Sequence, residues 1–229
     1  MAQQERSTRT RRKIVEAGGA VFAQRGFEGA VISDVYAKVG VTRGAFYYHF
    51  SSKEDLAEAV LETQRGGEQY PLIPREIKLQ EFVDAGMVFT VRLRKDRLLQ
   101  GSVRLAVEKA SHSLDRSKAF EAWVTHNMRG LTEARERGEL HPHVQLDDVA
   151  VMIAGAYTGI QLMSEVMDDR RDVERRVSVF LQHVMPTIAL PGILARLDMA
   201  ADRGERVMAE LEELGELGEQ GANGTSLAP

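Results

Sequence analysis

The sequence predicts an all-α protein in which a small three-helix amino-terminal domain precedes a larger helical body. Three observations point there. Apolar residues recur at intervals of three and four with no competing strand alternation. Two short helical patterns meet at a glycine between residues 32 and 50. The charge also changes sign along the chain: residues 1–53 hold nine Lys and Arg against four acids, a balance of +5, which leaves −9 on the remainder. At 229 residues, with 43% hydrophobic and 28% charged positions, the chain has ordinary globular composition and enough length for one large domain or two small ones. The absence of cysteine excludes a disulfide framework, a Cys-based zinc or iron-sulfur site and a thiolate nucleophile.

Taken in order, the first element spans about Ser7 to Arg25, where Ile14, Gly18, Val21 and Phe22 form one stripe and Arg9, Arg12 and Lys13 lie off it. Gly26 stops it. Gly18 and Gly19 inside this helix each cost about 0.8–1 kcal/mol relative to alanine, so some close backbone approach is expected there. A second helix starts with Ser33 as N-cap and Asp34 in its first turn, and ends at Gly40. Thr42 caps a third, Arg43 to Phe50, with Phe46 and Phe50 on one face. A fourth runs from Lys53 to about Gln69 and is closed by Pro71 and Pro74. Beyond it the pattern is helical throughout, with breaks at 95–96, 112–115, 137–145, 168–172 and 186–191. From Leu214 the composition turns to Gly, Glu and small residues, which predicts a flexible tail over 214–229.

The unit that carries function is the segment from Ile32 to Phe50. Gly40 supplies a positive φ for the turn, Ala37 is small enough for close packing, and Val35, Val41, Phe46 and Phe50 bury inward. Thr42, Arg43, Gly44 and Tyr47 then face outward at the amino end of a recognition helix, at major-groove position.

The string from Gly40 through Val, Thr, Arg, Gly, Ala, Phe, Tyr, Tyr and His to Phe50, then Lys53 to Leu56, with Arg25, Gly26 and Phe27 upstream, resembles the signature of the TetR family. The departures are Val39, Phe46 and the Gly18-Gly19 pair. The resemblance covers residues 10–65 and implies a helix-turn-helix DNA-binding domain over 1–55 and a ligand-binding and dimerisation domain over 56–213, linked by helix 53–69. It also implies a palindromic double-stranded DNA operator as partner, read by Thr42, Arg43, Gly44 and Tyr47. Tyr47 and His49 would reach the sugar-phosphate backbone and Lys53 a phosphate. Arg43 has the fork that matches guanine O6 and N7, and Ser33 marks a helix amino end suited to a phosphate. Arg6 to Lys13 adds nonspecific positive charge.

In the body, Asp147 to Met167 is apolar nearly all round and was expected to leave no face in water. Its Val149, Met152, Ile153, Ala156 and Ile160, with Val173, Val177, Phe180, Leu181 and Val184 on the next helix, offer a surface for a two-fold four-helix homodimer, as these helices do in the family. The single tryptophan, Trp123, read as lying mid-body, gives the string a further likeness to the γ-butyrolactone receptors of actinomycetes. That likeness implies a small lactone-type ligand on Trp123, with Thr158 and Gln64 as polar partners and Phe82, Phe89 and Val103 as walls. Another apolar ligand, in a repressor of an efflux or metabolic gene, is the alternative.

No catalytic residue, cofactor or metal ligand is expected. His141, His143, Asp147 and Asp148 have some metal-ligand character, but a polar interhelical loop explains them better. The first twenty residues lack a secretory signal, and the longest uncharged stretch, Val149 to Ser164, falls short of the roughly 18–20 residues of a bilayer span. A cytoplasmic protein without a membrane partner is the expectation.

Overall fold

The structure, a computed structural model, describes residues 2–65, 73–108 and 114–224, with side chains from 4–63, 73–108 and 114–214. It is all-helical: α1 (Ala2–Gly29), α2 (Ile32–Val39), α3 (Arg43–His49), α4 (Lys53–Arg65), α5 (Lys78–Lys95), α6 (Arg97–Val107), α7 (Ser117–Glu136), α8 (Leu146–Asp168), α9 (Val173–Ile188), α10 (Pro191–Leu194) and α11 (Arg203–Gly224). The chain divides into two compact units, one of Met1–Gly67 with Lys95–Trp123, the other of Glu68–Arg94 with Val124–Pro229.

In the first unit, Ile14, Phe22, Val35, Phe46, Leu56 and Leu61 share a core with Leu105, Ala106 and Ala119. Helix α6, placed in the body by the sequence, therefore packs with α1 and α4. The glycines of α1 are the reason. A Cβ on Gly18 would lie 2.9 Å from Leu56 Cδ2, and one on Gly19 would lie 2.8 Å from Leu98 Cα. From the other side, a Cβ on Gly101 would lie 2.0 Å from the Gly19 carbonyl oxygen, so α1 and α6 meet backbone to backbone. Only glycine permits that approach.

α1 does not stop at Gly26 but kinks there, at φ 67°, and runs on to Gly29. A kink frees backbone groups that need partners. Two α6-side residues supply them: Phe27 N–H donates to Glu108 Oε2 at 2.8 Å, and Arg104 Nη1 donates to the Ala23 carbonyl at 2.8 Å. At the head of α4, Ser52 Oγ accepts from Asp55 N–H and Asp55 accepts from Ser51 N–H, both at 3.0 Å, a reciprocal cap at the serine pair.

In the second unit, Leu79, Val83, Met87, Leu131, Ile153, Val173, Val177, Leu181 and Met185 form the core. Buried Glu139 caps the start of α5, accepting from Lys78 N–H at 2.8 Å and Leu79 N–H at 2.7 Å. Its loop is pinned by an isolated antiparallel bridge between Leu140 and Ala189. α9 passes through Pro186 and ends at Ile188, so the break expected over 186–191 falls after that proline, at Ala189 and Leu190. Helix breaks at 95–96, 137–145 and 168–172 fall where expected. The ends expected at Gln69 and 112–115 lie at least partly outside the described residues.

α11 runs to Gly224, where a tail without regular structure was expected from Leu214; 225–229 lie outside the described residues. Its root is bolted to α5: Arg203 pairs with buried Asp84 through Nε and Nη2 at 2.7 and 2.6 Å. Gly204 lets the Met87 carbonyl approach to within 2.4 Å of where a Cβ would stand.

Gly101→Ala is expected to lower stability by about 1–3 kcal/mol, the cost of forcing an atom into a filled core. Thermal denaturation followed by circular dichroism checks it, and an unchanged midpoint would show that α1 and α6 are not in contact.

Candidate functional site

The turn between α2 and α3 is built by local rules. Gly40 sits at φ 74° and ψ 32°, its N–H bonding to the Tyr36 and Ala37 carbonyls. A Cβ there would meet nothing, so the positive φ alone demands glycine. Thr42 Oγ1 then accepts from Ala45 N–H at 3.2 Å and caps α3. Phe46 and Phe50 are buried one turn apart, and Val35 meets them from α2. Ala37, in contrast, is exposed and does not pack the two helices together; half-buried Val39 and Val41 lie against the core instead.

Ser33 is not the cap of α2. The helix begins at Ile32 behind extended Val31, without a side-chain cap, and Asp34 in its first turn pairs with Arg25 of α1. That ion pair and burial of Val35 hold the end that a serine cap was expected to hold. Ser33 itself is exposed.

With Phe46 and Phe50 inward, Thr42, Arg43, Gly44, Tyr47 and Tyr48 are exposed together on α3. The Arg43 guanidinium lies 5.6 Å from the centre of the Tyr47 ring, which orients it along the helix. Tyr48, 78% exposed, is a further surface aromatic on this helix, beyond the residues that the family resemblance marks. Its position two residues from each inward phenylalanine was the available signal. His49 is half-buried, edge-on to Tyr48 at 5.0 Å. Gly44 has open space around it, so among the described residues no contact accounts for a glycine there.

Lys53 is engaged inside the fold. Its ammonium donates to the Phe27 carbonyl at 2.9 Å and the Ala30 carbonyl at 3.4 Å, and lies 4.5 Å from the Phe27 ring centre. Among the arm residues, Arg6, Arg9, Arg11, Arg12 and Lys13 are exposed on the first turns of α1, so this charge is carried by a helix. Arg11 lies 5.0 Å over the Phe50 ring, on the α3 side.

The residues expected around a ligand divide between the units. Trp123 belongs to the first, not to the middle of the body: it is half-buried against the core that holds Leu105 and Ala119, and edge-on to Phe120 at 5.1 Å. The first seven residues of α7, Ser117 to Trp123, are drawn there by that apolar packing. Val103 is buried in α6 of the same unit, and the side chain of Gln64 lies outside the described residues. In the second unit, Phe82 packs on Gly130 of α7, where a Cβ would come within 2.8 Å of its ring. Phe89 lies edge-on to Tyr157 at 5.6 Å, and the Tyr157 hydroxyl shares a 2.8 Å hydrogen bond with Thr90. Thr158 donates to the Ala154 carbonyl of its own helix at 2.8 Å. On α7, burial first and Arg129 second hold the His126 imidazole below its ordinary pKa.

Four of the ten residues expected at a dimer interface are core residues of their own chain: Ile153, Val173, Val177 and Leu181. Their stripe identifies the face of α8 and α9 that packs inward. Val149, Ala156, Ile160, Phe180 and Val184 are half-buried beside it, and Met152 is exposed. The outer face of α8 is instead Val151, Met152, Met163, Val166 and Met167, with exposed Gly155 and Gly159 between them. By length and composition α8 is apolar enough to cross a membrane, which the sixteen-residue uncharged stretch had not suggested. Its inner face packs into the protein core. Among the described residues no three His, Asp or Glu gather as a metal site; the His141 and His143 rings stack at 5.4 Å.

Residues 14–60 match the family model described as bacterial regulatory proteins, tetR family. The A-factor receptor protein of Streptomyces griseus is 34% identical over 216 residues, covering 92% of this chain and 77% of that one. The full-length native crystal structure of TylP, a TetR regulator from Streptomyces fradiae, superposes with a TM-score of 0.82 at 38% identity, covering 90% of this chain and 98% of that one. CprB of Streptomyces coelicolor, solved in complex with its biological operator sequence, shares the fold at a TM-score of 0.68 and 23% identity, covering 88% of this chain and 98% of that one.

Proposed function

This chain is a member of the TetR family of bacterial regulatory proteins, and on that premise we propose a cytoplasmic homodimeric repressor that releases a palindromic operator when a γ-butyrolactone- or butenolide-type signal binds. The observation that carries the DNA reading is Gly44. A glycine in the first turn of α3 that no described neighbour requires makes sense when the partner needing close approach is outside the chain, and a phosphate-lined groove is such a partner. Around it, Arg43 reads guanine through its fork, Thr42 and Tyr47 contact the groove edge, and Tyr48 and His49 face the sugar-phosphate backbone. Ser33 remains at the amino end of α2, and the exposed arginines of α1 add affinity without sequence preference.

The outer face of α8 supports the homodimer. Val151, Met163, Val166 and Met167 form an apolar strip in water on a single chain, and a two-fold axis covers such a strip with its own copy. A palindrome needs that symmetry, since two recognition helices must enter major grooves one DNA turn, about 34 Å, apart. The lactone reading rests on likeness to the A-factor receptor protein across most of the chain. Thr158, Phe82 and Phe89, all of the second unit, remain its proposed contacts. Signal binding lowers operator occupancy by favouring the form whose recognition helices are misplaced; emptying a nearly full operator takes about 5.5 kcal/mol of differential affinity.

Three outcomes follow. Gly44→Ala leaves stability unchanged or raises it by about 0.5–1 kcal/mol, yet it and Tyr47→Ala weaken retention of operator fragments selected from genomic DNA; undiminished retention in gel shifts by both would remove α3 as the reading helix. Met163→Glu with Val166→Glu gives a monomer in light scattering, and a persistent dimer would place the interface elsewhere. Phe89→Ala still holds DNA but no longer lets go when lactone is added, and normal release would remove Phe89 from the signal site.

A further inference from the structure

The inner face of α8 carries one polar side chain that differs from its neighbours. Tyr157 shares its hydroxyl with Thr90 at 2.8 Å, Thr158 donates to the Ala154 carbonyl at 2.8 Å, and Ser164 donates to Asp172 at 2.6 Å. Gln161 is 1% exposed, yet among the described residues neither its Nε2 nor its Oε1 has a hydrogen-bond partner. A buried primary amide loses water at both ends, and interiors almost always replace what was lost. An apolar residue of similar size would fill the same space without that cost. A partner arriving from outside the chain accounts for keeping glutamine.

Its place on the helix says what kind of partner. Gln161 stands one turn after Tyr157 on the same side of α8. Tyr157 in turn meets the Phe89 ring and Thr90 of α5 within the second unit. The preceding turn thus pairs its own ring and hydroxyl with α5, whereas the Gln161 amide, among the described residues, pairs with nothing. We infer that Gln161 is the polar anchor of the small-molecule site in this unit and selects a ligand that presents a hydrogen-bond donor beside an acceptor.

This rests on the lactone reading and narrows it. A primary amide offers an N–H donor and a carbonyl acceptor side by side. A lactone ring bears acceptors only, so it answers Nε2 and leaves Oε1 unpaired. A lactone with a hydroxyl next to its carbonyl answers both. Sites that pair a ligand hydroxyl reject the analogue lacking it far more strongly than apolar pockets reject a missing methylene.

The test uses the full-length protein and two lactones of equal chain length, 2-(1-hydroxyoctyl)-γ-butyrolactone and 2-octyl-γ-butyrolactone, with binding read by titration calorimetry. Wild type is expected to bind the hydroxylated lactone at least about ten-fold more tightly. Gln161→Leu and the near-isosteric Gln161→Met are expected to bind the two alike, and to melt at or above the wild-type temperature without ligand. Equal wild-type affinities, or a preference that survives in Gln161→Met, overturns the role of Gln161 while leaving the lactone reading intact. A lower ligand-free melting temperature in both variants shows the amide to be structural and also overturns it. Wild type that binds neither compound overturns the inference together with the lactone reading beneath it.

Discussion

At Gly19 and Gly101 the backbones of α1 and α6 touch with no side chain between them, and the make-up of the first unit depends on that crossing. A Cβ on either residue would strike main-chain atoms, which cannot swing aside as a side-chain tip can. Because the helices lie this close, Arg104 and Glu108 reach the Ala23 carbonyl and the Phe27 N–H on either side of the Gly26 kink. The segment that leads into α2 is thus held by a helix some eighty residues away in sequence.

The molecule separates groups spent on its own fold from groups left open. Lys53, Glu108, Glu139, Asp84 and Arg203 all bear charges that a surface role would suit, and all are tied to backbone or to one another. For Arg203, the hydrogen bonds it donates to Asp84 outweigh burial and keep its pKa raised. In contrast, the outer side of α3 and the outer face of α8 bear residues whose presence the single chain does not explain. On α3 these are a glycine in open space and two exposed tyrosines; on α8 they are large apolar side chains in water. Costs that the isolated chain does not offset mark where something else binds.

The helix-turn-helix was legible because its determinants are local. The left-handed residue at Gly40, the Thr42 cap three residues before Ala45 and the one-turn spacing of Phe46 and Phe50 each act within a few positions. Ser33 misled for a related reason: serine is a good cap in general, but here the Arg25 pair with Asp34 and burial of Val35 anchor the helix, and both are tertiary. The expected interface residues failed in part because hydrophobic period finds an apolar stripe without saying what covers it. On α8, which is apolar nearly all round, the stripe through Ile153 turned to the chain's own core and that through Val166 to the outside.

The sequence by itself determined the helical class, most helix boundaries, the helix-turn-helix and the cost of the Gly18-Gly19 pair, since propensity, caps and glycine geometry are set by each residue and its near neighbours. Tertiary structure alone decided that the cost is met by α6, that Trp123 joins the first unit, that Lys53 turns inward and that Gln161 has no hydrogen-bond partner among the described residues. Each of these depends on which distant segments come to share one small volume, and side-chain periodicity along a single helix holds no record of its neighbours.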